Sequence, residues 1–154
     1  MLFAELFHPL AARVTLGLFA LIWGSAVAAG LFADTELMVF IKEVAVWSLF
    51  LLVPAAMLTA ATGLRLGYGR PGPITARKRR RLRLIVAVAV VVLLPATLAL
   101  DALVQQGQAG STLFLVLQGV ELIAGLLTLG LMVVSVRDGL LAKREARAAA
   151  SPGV

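Results

Sequence analysis

Residues 77–104 read RKRRRLRLIVAVAVVVLLPATLALDALV: six cations in seven positions, then an apolar run over 84–104 interrupted only by Pro95, Thr97 and Asp101. About 20 helical residues cross a hydrocarbon core, so the second part of this stretch reads as a transmembrane helix. The first part reads as its cytoplasmic flank, because lysine and arginine accumulate on that side of short loops.

The remainder of the chain repeats the pattern. Apolar stretches of similar length run over 14–32, 44–64 and 112–136, each bounded by charge or turn residues. Asp34 and Glu36 follow the first, Arg65 and the run Gly67 to Gly72 follow the second, Gln105 to Gly110 precede the last, and Arg137 with Asp138 closes it. With 61% hydrophobic and 14% charged residues and a mean hydropathy of +1.01, the 154-residue chain has too little polar surface to cover such a core in water. The expected fold is all-α: a single integral membrane domain, a four-helix bundle of antiparallel hairpins. Residues 65–83 are expected as a basic cytoplasmic loop and 137–154 as a cytoplasmic tail.

Charge placement sets the expected orientation. The segment 65–83 carries Arg65, Arg70, Arg77, Lys78, Arg79, Arg80, Arg81 and Arg83, and the tail carries Arg137, Lys143, Arg144 and Arg147. Arg13 lies before the first span, and only Lys42 falls on the opposite side, where Asp34, Glu36, Glu43 and Asp101 gather. Both termini are therefore expected in the cytoplasm. The arginine- and alanine-rich composition resembles that of small bacterial inner-membrane proteins, which sets the expected localisation. Arg13, the apolar run and Ser25 to Ala29 imitate a secretory signal, but the arginine comes late, after an apolar opening, which favours a retained helix. Leu2, Phe3, Leu6 and Phe7 share one helical face, suiting a short interfacial helix ending at Pro9, with a frayed terminus as the alternative.

Catalytic chemistry finds few residues to use. Gly67-Tyr68-Gly69-Arg70-Pro71-Gly72 matches the letters of a dinucleotide fingerprint, but an apolar span stands where a strand is needed, and Pro71 and Pro73 spoil the turn behind it; a flexible connection is expected instead. Cysteine is absent and His8 is the sole histidine, so neither a thiolate or multi-histidine metal site nor a serine–histidine–acid constellation can be assembled. No cofactor and no metal are expected. The basic run is expected to meet anionic lipid headgroups through Arg77, Lys78, Arg79, Arg80, Arg81 and Arg83, each worth about 1 kcal/mol near the surface. No aromatic residues interleave with it, so nucleic acid is not expected as a partner.

Polarity inside the spans is the remaining signal. Ser111, Phe114, Gln118, Glu121, Gly125, Thr128, Met132 and Ser135 recur in steps of three and four, one stripe of the fourth helix, with Leu, Val and Ile between them. Such a stripe faces helices and not lipid. Glu121 lies about 15 Å from the outer end at 1.5 Å per residue, near the bilayer midplane. An acid there costs about 3 kcal/mol to insert, which makes it a functional-site candidate; a protonated Glu121 bonded to a carbonyl or hydroxyl is the structural alternative. Gln118, Thr128, Thr97 and Thr59 are expected to share its polar network. Similar stripes run through Ala45, Ser48, Leu52, Ala55, Thr59 and Thr62, and through Ala87, Val90, Leu94, Thr97 and Asp101, while Gly17, Ala20 and Gly24 would let the first helix approach a neighbour. Pro54 and Pro95 stand in matching hexapeptides and are expected to kink their helices.

The expected function is that of a non-catalytic accessory or assembly subunit, or a self-associating scaffold, with membrane lipids and either copies of itself or a larger membrane complex as partners. The alternative is a small transporter or channel in which Glu121 binds a proton, a cation or a cationic substrate. Glu121→Gln is expected to assemble normally in the first case and to abolish flux in the second.

Overall fold

Each apolar stretch is part of a longer helix. The computed structural model describes residues 2–32, 35–67 and 73–150, with side chains described for 7–31, 35–65 and 76–141. Helix α1 runs Leu2–Phe32, α2 Thr35–Gly67, α3 Pro73–Val88, α4 Leu94–Gln105 and α5 Thr112–Ala150, and a π-helical turn, Ala89–Leu93, joins α3 to α4. Four helical rods, 25 to 31 residues each within Phe7–Leu31, Thr35–Arg65, Ala76–Gln105 and Thr112–Leu141, are long and apolar enough to cross a membrane. No strand occurs among the described residues. The connecting run Tyr68 to Gly72 lies outside them, as does Asp34.

The helix ends follow local chemistry. At the end of α4, Gly107 takes φ +72°, Gln108 N–H donates to Leu103 O and Gly107 N–H to Val104 O, a Schellman closure that favours a residue without Cβ at the left-handed position. Four residues later the Ser111 hydroxyl accepts from Phe114 N–H at 3.1 Å and caps α5. Glu36 opens α2 and Arg65 closes it, each with the sign that the helix dipole favours.

Three expectations about the elements are corrected. The basic segment Arg77 to Arg83 is not loop: Pro73 opens α3, as proline suits a first helical turn, and the apolar span beyond propagates the helix back through the cations. Pro9 does not end a separate interfacial helix, since α1 continues through it while His8 and Ala11 pack at and beside it; side chains of residues 2–6 lie outside the description. Pro54 sits within an uninterrupted α2, whereas Pro95 lies two residues past the end of the π turn, so only one of the two expected kink positions stands near a break in α-helical bonding. There Leu94 N–H donates five residues back, to Ala89 O. A π turn holds one surplus residue, which rotates the buried face. Ala87 and Val90 consequently face outward, while Leu93, Ala96, Thr97, Leu100 and Val104 face in.

Neighbouring rods pair in a ring: α1 with α2, α2 with α4, α4 with α5, and α5 with α1, α3 also lying against α5. Across the diagonals, no Cα of α2 comes within 8 Å of α5, nor any of α1 within 8 Å of α3 or α4, among the described residues. Side-chain pairs give antiparallel directions, with His8 on Thr62 and Thr15 on Thr59 between α1 and α2, and Arg81 on Asp138 and Thr97 on Glu121 along α5. Trp23 fastens α1 to α5: its indole N–H donates to Leu122 O at 3.0 Å, and its ring lies so close over Gly125 that any Cβ there would overlap it. Gly17 and Gly24, expected to admit a neighbour, face open space; α1 buries Ala11, Thr15, Ala26 and Ala29 instead. Outward faces are aliphatic and aromatic, with Phe50 74% and Val91 72% exposed, a surface suited to lipid.

Candidate functional site

The polar residues of the interior converge on Glu121. The stripe on α5 buries Phe114, Gln118, Glu121, Gly125 and Thr128, and Glu121 looks from it toward the ring's centre. Thr97, on the face of α4 that the π turn directs inward, donates its hydroxyl to Glu121 Oε1 at 2.8 Å. Lys42, about two turns into α2, donates from Nζ to Glu121 Oε2 at 2.6 Å. Lys42 is only 1% exposed, one of the largest fully buried side chains among the described residues. Because the backbones of α2 and α5 do not approach, the long lysine side chain carries the contact across the diagonal.

Both carboxylate oxygens thus hold a donor, one of them charged. Burying either charge alone costs several kcal/mol, and the pair offsets this by meeting at short range with a third hydrogen bond in place. Gln118 and Asp101 lie one turn nearer the α4–α5 connection, on the same helices as Glu121 and Thr97. Both amide atoms of Gln118 and Oδ1 of Asp101 are buried without a hydrogen-bond partner. Beyond them Leu100, Leu103, Val104 and Phe114 form an apolar plug with Met38 and Val39 of α2 against it.

No protein-family model, curated protein or solved structure matches this chain.

Of the residues expected around Glu121, the structure brings Thr97 into contact and buries Gln118 one turn away. Thr128 is 2% exposed with no partner for its hydroxyl, two turns along α5 toward the basic end. Thr59 belongs elsewhere: it donates to Ala55 O and meets Thr15 in the α1–α2 seam, which His8 and Thr62 extend. Pro54 and Pro95 are exposed and touch none of these groups with hydrogen bonds. Of the basic run, Arg81 is tied to Asp138, while Arg77, Lys78, Arg79, Arg80 and Arg83 are exposed.

Lys42 is the residue of the candidate site that sequence reasoning missed. The apolar run of the second span begins at residue 44, which leaves Lys42 just outside it as an isolated cation on the poorly basic side. Two signals could have found it. An ionised acid buried at that depth needs a counter-charge, and Lys42 is the one lysine or arginine remote from the basic end.

Proposed function

We propose that this protein is a non-catalytic four-helix membrane bundle, a scaffold or accessory subunit of a bacterial inner membrane. Its basic end and both termini face the cytoplasm, and it works with anionic lipids and with copies of itself or a larger complex. The observation that carries the reading is the Lys42–Glu121 pair. The one acid at mid-depth is neutralised by a buried lysine from the diagonally opposite helix, so its charge is committed to closing the bundle. A transported cation would have to displace that ammonium. The outward faces offer a wide aliphatic surface for lipid or another subunit.

A second reading, proton or cation handling, is favoured by the unpartnered Asp101 and Gln118 atoms beside the pair, since buried polar groups without partners are often completed by water or an ion. Proteoliposomes separate the two. The scaffold reading expects proton and alkali-cation flux no greater than in empty vesicles, together with a defined oligomer or a stoichiometric membrane partner on mild solubilisation. Flux above that background that disappears in Glu121→Gln would overturn it in favour of transport.

A further inference from the structure

The basic turns of α3 are divided by direction. Lys78 and Arg81 lean toward α5: Arg81 Nη1 donates to Asp138 Oδ2 at 2.6 Å, and Lys78 Nζ lies 3.5 Å from where a Cβ on Gly139 would stand. Arg79 and Arg83 project from the other side of the helix. Beside them, Arg77, Arg80, the shared Arg81 and Leu84 occupy positions i, i+3, i+4 and i+7 of one stripe and line an open surface depression of about 350 Å³. The stripe then runs on through Ala87 and Val91, both exposed, so it changes from guanidinium to hydrocarbon along a single face.

That order matches a glycerophospholipid, whose phosphate is followed by acyl chain. Guanidinium groups suit a phosphodiester because their planar forks donate two parallel hydrogen bonds. Arg81 uses one donor on Asp138 and keeps others, and that ion pair fixes the direction of its side chain. A free phosphate would use the arginines but leave Leu84, Ala87 and Val91 without a role.

We infer that this stripe is a discrete binding site for one anionic phospholipid, its phosphate held by Arg77, Arg80 and Arg81 and an acyl chain lying along Leu84, Ala87 and Val91. The inference rests on the proposal that the chain resides in a bilayer; it depends neither on the direction of insertion nor on the role of Glu121. It differs from diffuse attraction in being tied to position as well as to charge.

Native mass spectrometry of the full chain in detergent, titrated with phosphatidylglycerol or phosphatidylcholine, tests it. The first phosphatidylglycerol is expected to bind in preference to phosphatidylcholine. Arg77→Gln with Arg80→Gln should weaken that binding by about tenfold or more, while Arg79→Gln with Arg83→Gln, an equal loss of charge off the stripe, changes it by less than about threefold. All four side chains are exposed, so both variants keep the fold. Equal weakening by the two pairs would reduce the site to charge counting and overturn it. Displacement of the lipid by inorganic phosphate at equal concentration would reassign the pocket to free phosphate. Retention of neither lipid class would overturn the site and leave the bilayer reading, which stands on the four apolar rods, in place.

Discussion

At the scale of single residues, the Lys42–Glu121 contact changes what a substitution at Glu121 measures. From sequence, Glu121→Gln is a mild change that keeps a hydrogen-bonding strut. With Lys42 as partner it leaves an ammonium buried at 1% exposure without a counter-charge, and breaking a buried pair from one side costs about 3–5 kcal/mol. Lys42→Met and Glu121→Gln should each destabilise the protein by about that amount in mixed-micelle unfolding titrations. The double variant should recover most of the loss, because Gln can still accept from Thr97 and no charge remains. Additive losses in the double variant would show that the two residues act independently.

Among elements, the π turn between α3 and α4 decides which residues can meet Glu121. An α-helical residue turns the chain by about 100°, so a single surplus residue redirects everything beyond it. Pro95, which supplies no N–H and crowds the carbonyl four residues earlier, stands where this surplus is accommodated. Deleting outward-facing Val90 should close the turn into ordinary α-helix and leave the Arg81–Asp138 and Thr97–Glu121 contacts in register, changing stability by less than about 1 kcal/mol. Deleting Leu98, equally outward-facing, should swing Leu100, Leu103 and Val104 off Phe114 and cost about 3 kcal/mol or more. Thermal unfolding of the two deletions in one detergent compares them, and similar losses in both would contradict the assigned role of the turn.

The whole molecule is a ring of four rods whose basic residues collect at one end. Proposed insertion with that end inward follows from the charge asymmetry and is independent of the ring's packing. The chain contains no cysteine, so single-cysteine reporters are clean. Gln108→Cys, exposed in the α4–α5 turn, should react with an impermeant maleimide added to intact cells, and Ala76→Cys, exposed at the start of α3, should react only after the membrane is opened. The reverse labelling pattern would invert the orientation.

Much of the architecture was legible without coordinates, for identifiable reasons. Apolar run length is a property of consecutive residues, and the bilayer demands about the same length from every span, so four rods could be counted directly from the chain. The three-and-four spacing of Gln118, Glu121 and Thr128 likewise fixed a common face, because the helical period is local. The end of each helix was less legible: apolarity stops at the cations, whereas hydrogen bonding runs on through Arg77 to Arg83, residue types whose own helix propensity is high.

Pairing between rods was beyond local reading altogether. Lys42 and Glu121 are 79 residues apart, and whether they meet depends on which helices lie diagonally opposite and on one extra residue in the path from α3 to α4. Gly17 and Gly24 carry the same local signature as Gly125, yet only Gly125 has an indole against it. The sequence by itself determined the number of rods, their apolar surfaces and the charged end. Only the tertiary structure decided the ion pair at the centre, because a buried charge is stabilised by the partner that packing brings to it and not by its neighbours in the chain.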